Sequence, residues 1–258
     1  RTEQMHRLSQ IRHQNWSKQS LNHDMNQEID EKYIRYVKEV EPFIEHDAEE
    51  IRQWLELNQD APLISVVVPT YNTNIIHLRE CIESVRLQSY SNWELCICDD
   101  SSNANHVKPI LKELESLDPR IKLTFRKENG HICNASNAAL GMATGEYVAL
   151  LDHDDVLAKN ALYWVARELQ RKPNTNLIYS DEDKIDNRGV RSCPHFKPAF
   201  NIDLLLSYNF ISHLGVYRRD LINRLGGFRL GFEGSQDHDL ALRTVMESSA
   251  DQIIHIPR

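Results

Sequence analysis

From residue 63 onward the apolar positions fall into short blocks separated by amphipathic stretches. LISVVVPT (63–70) is a near-continuous β-branched run, as expected of a strand covered on both faces. Residues 74–88 place Ile75, Leu78, Ile82 and Val85 on one side of a helix. WELCICDD (93–100) predicts a second strand, 107–117 a helix, IKLTFR (121–126) a third strand, 132–142 a helix, and GEYVALLD (145–152) a fourth strand. This β-α-β-α-β-α-β alternation predicts an α/β fold with a doubly wound, largely parallel sheet. Further along, 158–170 is helix-like, and NLIYSDEDKID (176–186) reads as a strand followed by an acidic loop. SHLGVYRRDLI (212–222) reads as a strand leading into a helix, QDHDLALRTVME (236–247) as a helix, and QIIHIPR (252–258) as a strand running into a loop.

Residues 1–60 differ. They lack Gly and carry helical periodicity, with Ile29, Tyr33, Tyr36, Val37 and Val40 on one face and Ile51, Trp54 and Leu55 on another. Two or three helices are expected, either as an arm for oligomerisation or docking or as an extension packed on its own domain. Asp60-Ala61-Pro62 breaks the pattern. The chain therefore divides into an N-terminal helical extension (1–60) and one domain (61–258), itself a first half (61–155) and a second half (156–258).

The 258 residues are 41% hydrophobic, enough for a substantial core. Of the net charge of −8, residues 1–60 contribute −5, so the remainder is close to neutral and a nucleic-acid partner is not expected. No apolar run approaches eighteen residues and no signal-peptide pattern is present. A chain starting without Met is expected to be a piece of a longer one. Five cysteines without a paired framework favour a reducing, cytoplasmic setting, and Cys96 and Cys98 should enter one packed layer.

In a doubly wound sheet, ligands bind at the carboxyl ends of the strands. Those ends carry Pro69-Thr70-Tyr71-Asn72, Asp99-Asp100-Ser101-Ser102, Glu128-Asn129-Gly130-His131 and Asp152-His153-Asp154-Asp155. Neither a dinucleotide nor a P-loop glycine motif is present, so a phosphate on this rim needs a metal to hold it. Helix capping accounts for one Asp in 152–155. Three packed together call for a cation or hydrogen bonds, and a hard divalent metal is the simplest compensation.

VVVPTYN, CICDDSS, NGHICNASNAALGMATGEYVALLDHDD and GSQDHDL, in that order, resemble the inverting family 2 glycosyltransferases of the GT-A fold. The likeness is to the bacterial branch that builds O-antigen and other surface polysaccharides, and it covers roughly residues 62–256. It implies that Thr70, Tyr71, Asp99 and Asp100 contact the nucleoside of a nucleotide-sugar, with Asn129 and Asp152 also on the donor. Asn129, His131 and Asn137 flank the third helix, with Gly130 a tight turn beside the donor pocket. Asp152 and Asp154 form the D-x-D element that holds Mn²⁺ or Mg²⁺, with Asp155 capping a helix or orienting its neighbours.

The resemblance also makes Asp237 the catalytic base, in Gln236-Asp237 where the family usually has Glu-Asp. Asp239 reads as a residue satisfying a helix N-terminus. A metal contact is implied beyond Arg258. His213 and His255 stand in strand-like apolar contexts where a packed, hydrogen-bonded role is expected. The implied activity is metal-dependent, inverting transfer from a UDP- or dTDP-linked sugar to a glycan or lipid-linked glycan, in the cytoplasm or at the inner face of the membrane. Rival readings are an inactive glycan- or partner-binding domain and a metal-dependent sugar-phosphate nucleotidyltransferase.

Overall fold

The structure, a computed structural model, describes residues 31–39 and 48–258. These form two compact units: a larger one from residues 49–181 and 196–258, and a smaller one whose described part is 31–39 with 182–195.

The larger unit is built on a seven-stranded sheet of order β3-β2-β1-β4-β8-β5-β9. Its first strands are β1 (Ile64–Thr70), β2 (Trp93–Asp99), β3 (Ile121–Phe125) and β4 (Tyr147–Leu150), all parallel. Beyond them lie β5 (Leu177–Ser180), β8 (Gly215–Arg218) and β9 (Ile253–Ile256), with β8 antiparallel to both β4 and β5. The α/β class and the largely parallel sheet agree with the sequence pattern. The reversed β8 is the departure, because hydrophobic periodicity marks a strand without giving its direction.

Alternation along each strand feeds two apolar layers. Ile64, Val66, Val68, Leu95 and Ile97 enter one layer with α3 (Ile75–Arg86), α4 (Val107–Leu117) and α6 (Ala161–Arg171). Val67, Cys96, Cys98 and Val148 enter the other with α5 (His131–Leu140) and α9 (Gln236–Met246). Cys96 and Cys98 thus share one layer as expected. Helix α2 (Ala48–Leu57) belongs to the larger unit: Ile51 is buried in its core and Trp54 meets Tyr163 edge-on at 5.3 Å.

A hairpin and a short helix are absent from the sequence pattern. The acidic loop expected after β5 is instead β6 (Glu182–Ile185), paired antiparallel with β7 (Arg191–His195). Asp186 closes the turn by accepting from the Arg188 and Val190 N–H groups at 2.8 and 2.9 Å, and Gly189 takes φ +77°. This hairpin and the helix over 31–39 (α1) make up the described smaller unit, in which Tyr33 is buried and donates to Asp183 at 2.6 Å. Of the apolar face expected on α1, Tyr36 is exposed, and Ile29 and Val40 lie outside the described residues. The other addition, α7 (Ile202–Ser207), is capped by Asn201, whose side chain accepts from the Leu204 N–H at 3.0 Å. The remaining helix is α8 (Arg219–Arg224), directly after β8. Among the described residues no helix is long and apolar enough to cross a membrane.

Candidate active site

The carboxyl ends of β1, β2 and β4 open onto one cleft of about 400 Å³, bordered by Thr70, Tyr71, Asp100, Asn129, Asp152 and Asp154 among others. That volume lies within the range of small-molecule sites. The β1 and β2 ends are tied together by Asn72, at φ +51°, whose side-chain Oδ1 accepts from the Asn103 and Ala104 N–H groups at 3.0 Å each. The Asp100 N–H adds a bond to the Thr70 carbonyl at 2.8 Å.

Asp99 and Asp100 are both buried, and only Asp100 borders the cleft. Asp100 lies 2.7 Å from the Arg126 Nε and accepts the Gly130 N–H at 3.1 Å on each oxygen, so it fastens the β2 end to the turn before α5. Asp99 accepts the Ser102 N–H at 3.1 Å, while its Oδ1 is buried with no hydrogen-bond partner. The Thr70 hydroxyl is in the same condition. Helix α4 starts at Val107 with His106 at its cap position, so Asp99 is not a helix cap. Asn129 stands beside Asp100, 3.4 Å from its carbonyl, and accepts the His131 N–H at 3.3 Å.

At the end of β4, Asp152 and Asp155 meet His213. The His213 Nε2 is 3.4 Å from Asp152 Oδ2 and 3.7 Å from Asp155 Oδ2, and the three side chains offer ligand atoms within 4.8 Å of one another. The His213 ring beside Asp152 holds its carboxyl below the usual carboxylate range. Of the two expected metal ligands, Asp152 is in this group and Asp154 is not. Asp154 lines the cleft with its side chain 57% exposed, 3.3 Å from the His153 Nδ1. Asp155 is not at the cap of the next helix, since α6 begins at Ala161 after Asn160.

His213 is hydrogen-bonded as expected, but to Asp152 on the rim and not within a strand, and the register explains why. β8 starts only at Gly215, and Gly215 pairs with Leu150 at the end of β4. The residues just before an antiparallel β8 therefore run beside those just after β4, which brings position 213 to Asp152. His255 does follow its expectation: it stacks on Tyr179 at 4.9 Å and lies 2.6 Å from Asp181.

A second, smaller cavity of about 30 Å³ shares Pro69, Ile132 and Asp152 with the cleft and is closed by His213, Gln236 and Asp237. Asp237 stands in the first turn of α9, where the helix dipole favours a carboxylate, and accepts from the Asn209 side-chain amide at 2.7 Å. Asp239, two positions on, does not satisfy the helix end. It is buried between Arg229 and Arg243, paired with Arg243 at 2.9 Å. Burial pushes its carboxyl upward, but the two guanidiniums outweigh this and hold it below the ordinary range. Arg243 in turn donates to the Leu225 and Gly227 carbonyls, anchoring the glycine-rich approach to α9.

The sequence profile of glycosyl transferase family 2 matches residues 65–226. The protein y4gI of Sinorhizobium fredii is 50% identical over 200 residues, which cover 78% of this chain and 22% of that protein. The O-antigen biosynthesis protein RfbC of Myxococcus xanthus is 38% identical over 195 residues, 76% of this chain and 15% of its own length. The chain thus spans less than a quarter of either relative. The crystal structure of S. aureus TarS 1–349 in complex with UDP-GlcNAc superposes with a TM-score of 0.63 at 22% identity, over 75% of this chain and 56% of that one, a likeness of fold. The largely parallel sheet with its acidic carboxyl edge is the GT-A architecture, and the profile match over most of that sheet shows that the chain belongs to glycosyl transferase family 2.

Proposed function

We propose that this domain moves a sugar from a UDP- or dTDP-linked donor to a hydroxyl of a growing surface glycan, free or lipid-linked, with inversion at the anomeric carbon and with Mn²⁺ or Mg²⁺ bound. The observation that carries this reading is the meeting of two spaces at Asp152: the cleft lined by Thr70, Tyr71, Asp100 and Asn129, and the small cavity reaching Asp237. A donor lying in the cleft with its diphosphate toward Asp152 would turn its sugar toward Asp237. The unpartnered Thr70 hydroxyl and Asp99 carboxylate oxygen are acceptors for N–H or O–H groups of a nucleoside.

The carboxylates of Asp152 and Asp155 suit Mn²⁺ or Mg²⁺, and the His213 imidazole beside them favours the softer Mn²⁺ of the two. Asp154, on the cleft wall, stays in the proposal as the second D-x-D carboxylate. When bound, the ion neutralises diphosphate charge and so lowers the cost of its departure. Asp237 takes the proton from the acceptor hydroxyl as its oxygen bonds to the anomeric carbon. The bond from that carbon to the diphosphate oxygen breaks on the opposite face, so a single displacement inverts the configuration.

The test is nucleotide release from UDP-GlcNAc, UDP-glucose, UDP-galactose and dTDP-rhamnose with Mn²⁺. At least one donor should turn over, and Asp237→Asn should cut its turnover by at least about 10²-fold with UDP affinity unchanged within about twofold. An Asn variant retaining more than about a tenth of the rate would place the base elsewhere. No turnover of any donor would leave a binding domain.

A further inference from the structure

We propose that Asn209 is a positioning residue for Asp237, an inference that rests on Asp237 being the base. Asn209 follows α7 and precedes β8, in a segment that no helix or strand restrains. Its Nδ2 donates to Asp237 Oδ2 at 2.7 Å, and its Oδ1 accepts the Ser212 N–H at 3.3 Å. The two contacts agree on one orientation of the amide, since the Ser212 N–H needs an oxygen and the carboxylate needs an N–H. Flipping the amide would lose both.

The backbone that carries this amide is clamped. Phe210 and Ile211 are buried, and the ammonium of Lys197, a residue 5% exposed, donates to the Ile211 carbonyl at 2.8 Å and the His213 carbonyl at 2.5 Å. A buried ammonium is tolerated only where such acceptors replace its water, so Lys197 and the segment hold each other in place. With Oδ2 of Asp237 occupied by Asn209, Oδ1 is left for the acceptor hydroxyl. The same segment ends at His213 beside Asp152 and Asp155, so one clamp sets the base and the acidic group relative to each other.

A double-mutant cycle on the full chain tests this, read by UDP release from whichever donor of the panel turns over fastest. Asn209→Ala should lower kcat by about 10-fold or more, since small misplacements of a reacting group are costly, with donor KM within about twofold. In the Asp237→Asn background the same substitution should change the residual rate by less than about twofold, because effects that pass through one group do not add. Equal losses in both backgrounds, or an Asn209→Ala kcat within about twofold of wild type, would overturn the positioning role. High activity of Asp237→Asn would instead sink the base assignment.

Should Asn209→Ala fail to fold, the exchange Asn209→Asp with Asp237→Asn keeps an amide facing a carboxylate. It should bind UDP like wild type and stay inactive. Wild-type turnover by that exchange would show that the pair needs no defined order and would overturn the inference.

Discussion

The Glu94 carboxylate accepts five hydrogen bonds, and its replacement by Gln should change stability with a definite sign and size. It stands at the head of β2, opposite Ser65 in the parallel register, with its side chain 7% exposed. Oε1 accepts from the Ser65 hydroxyl at 2.6 Å and from the Thr144 and Gly145 N–H groups at 2.5 and 3.2 Å. Oε2 accepts from Lys122 Nζ at 2.5 Å and the Thr144 hydroxyl at 2.9 Å. Burial alone would raise the carboxyl, but these donors overcome it and bring it from 4.5 down to about 2. A group depressed in the folded state stabilises it above the unfolded value, and that stabilisation is lost as pH falls from about 4.5 toward about 2.

At about 1.4 kcal/mol per pH unit the shift corresponds to about 3 kcal/mol, reduced to about 2 because the Lys122 partner is 37% exposed and screened. Glu94→Gln keeps an acceptor for Ser65, Thr144 and Gly145 but turns an NH₂ toward Lys122. The expected loss in urea unfolding at pH 7 is about 2 kcal/mol with an unchanged m-value, narrowing to under about 1 kcal/mol by about pH 3. A wild-type minus variant difference that stays flat between those pH values would refute the reasoning. The effect bears on the site, because the Glu94 cluster fixes the head of β4, a strand of only four residues whose far end leads to Asp152.

The metal assignment separates in calorimetry of UDP binding with Mn²⁺: His213→Ala should weaken binding by about 10-fold or more and have no effect on UDP alone, and equal affinity in the two proteins would remove His213 from the ligand set. Asp154→Asn in the same assay should match that loss if Asp154 is a direct ligand, and fall short of it if the cation sits among Asp152, Asp155 and His213. Gly145→Ala puts a Cβ about 2.5 Å from the Leu63 carbonyl oxygen and 2.7 Å from the Ser65 hydroxyl, and should cost about 1–3 kcal/mol. An unchanged melting temperature would mean that the β1–β4 junction relaxes without cost.

The first four strands and the helices between them were legible because a parallel strand covered on both faces must be apolar throughout, and Val66, Val67 and Val68 are each buried on alternate sides of the sheet. The rim residues followed from the same logic, since a parallel sheet gathers its strand ends at one edge. What periodicity omits is partner and direction. Arg191–His195 alternates too weakly to announce a strand, and it becomes one through pairing with Glu182–Ile185. His213 reads as an interior strand residue because the apolar run Leu214, Val216 and Tyr217 follows it closely in sequence. Only the antiparallel insertion of β8 between β4 and β5 turns the start of that strand toward the carboxyl end of β4.

That reversal also accounts for how two halves of the chain share one site. In a purely parallel continuation, the residues entering β8 would lie at the amino-terminal edge of the sheet, away from Asp152. Running backward, β8 delivers its preceding segment, Asn209 to His213, to the carboxyl edge, while Asn209 reaches Asp237 at the start of α9. The first half of the domain supplies the proposed donor cleft and the acidic group, the second half supplies the proposed base, and the segment 209–213 shortly before the reversed strand touches both. Substitutions in that segment should therefore disturb metal-dependent nucleotide binding at its His213 end and turnover at its Asn209 end, although the two positions are only four residues apart.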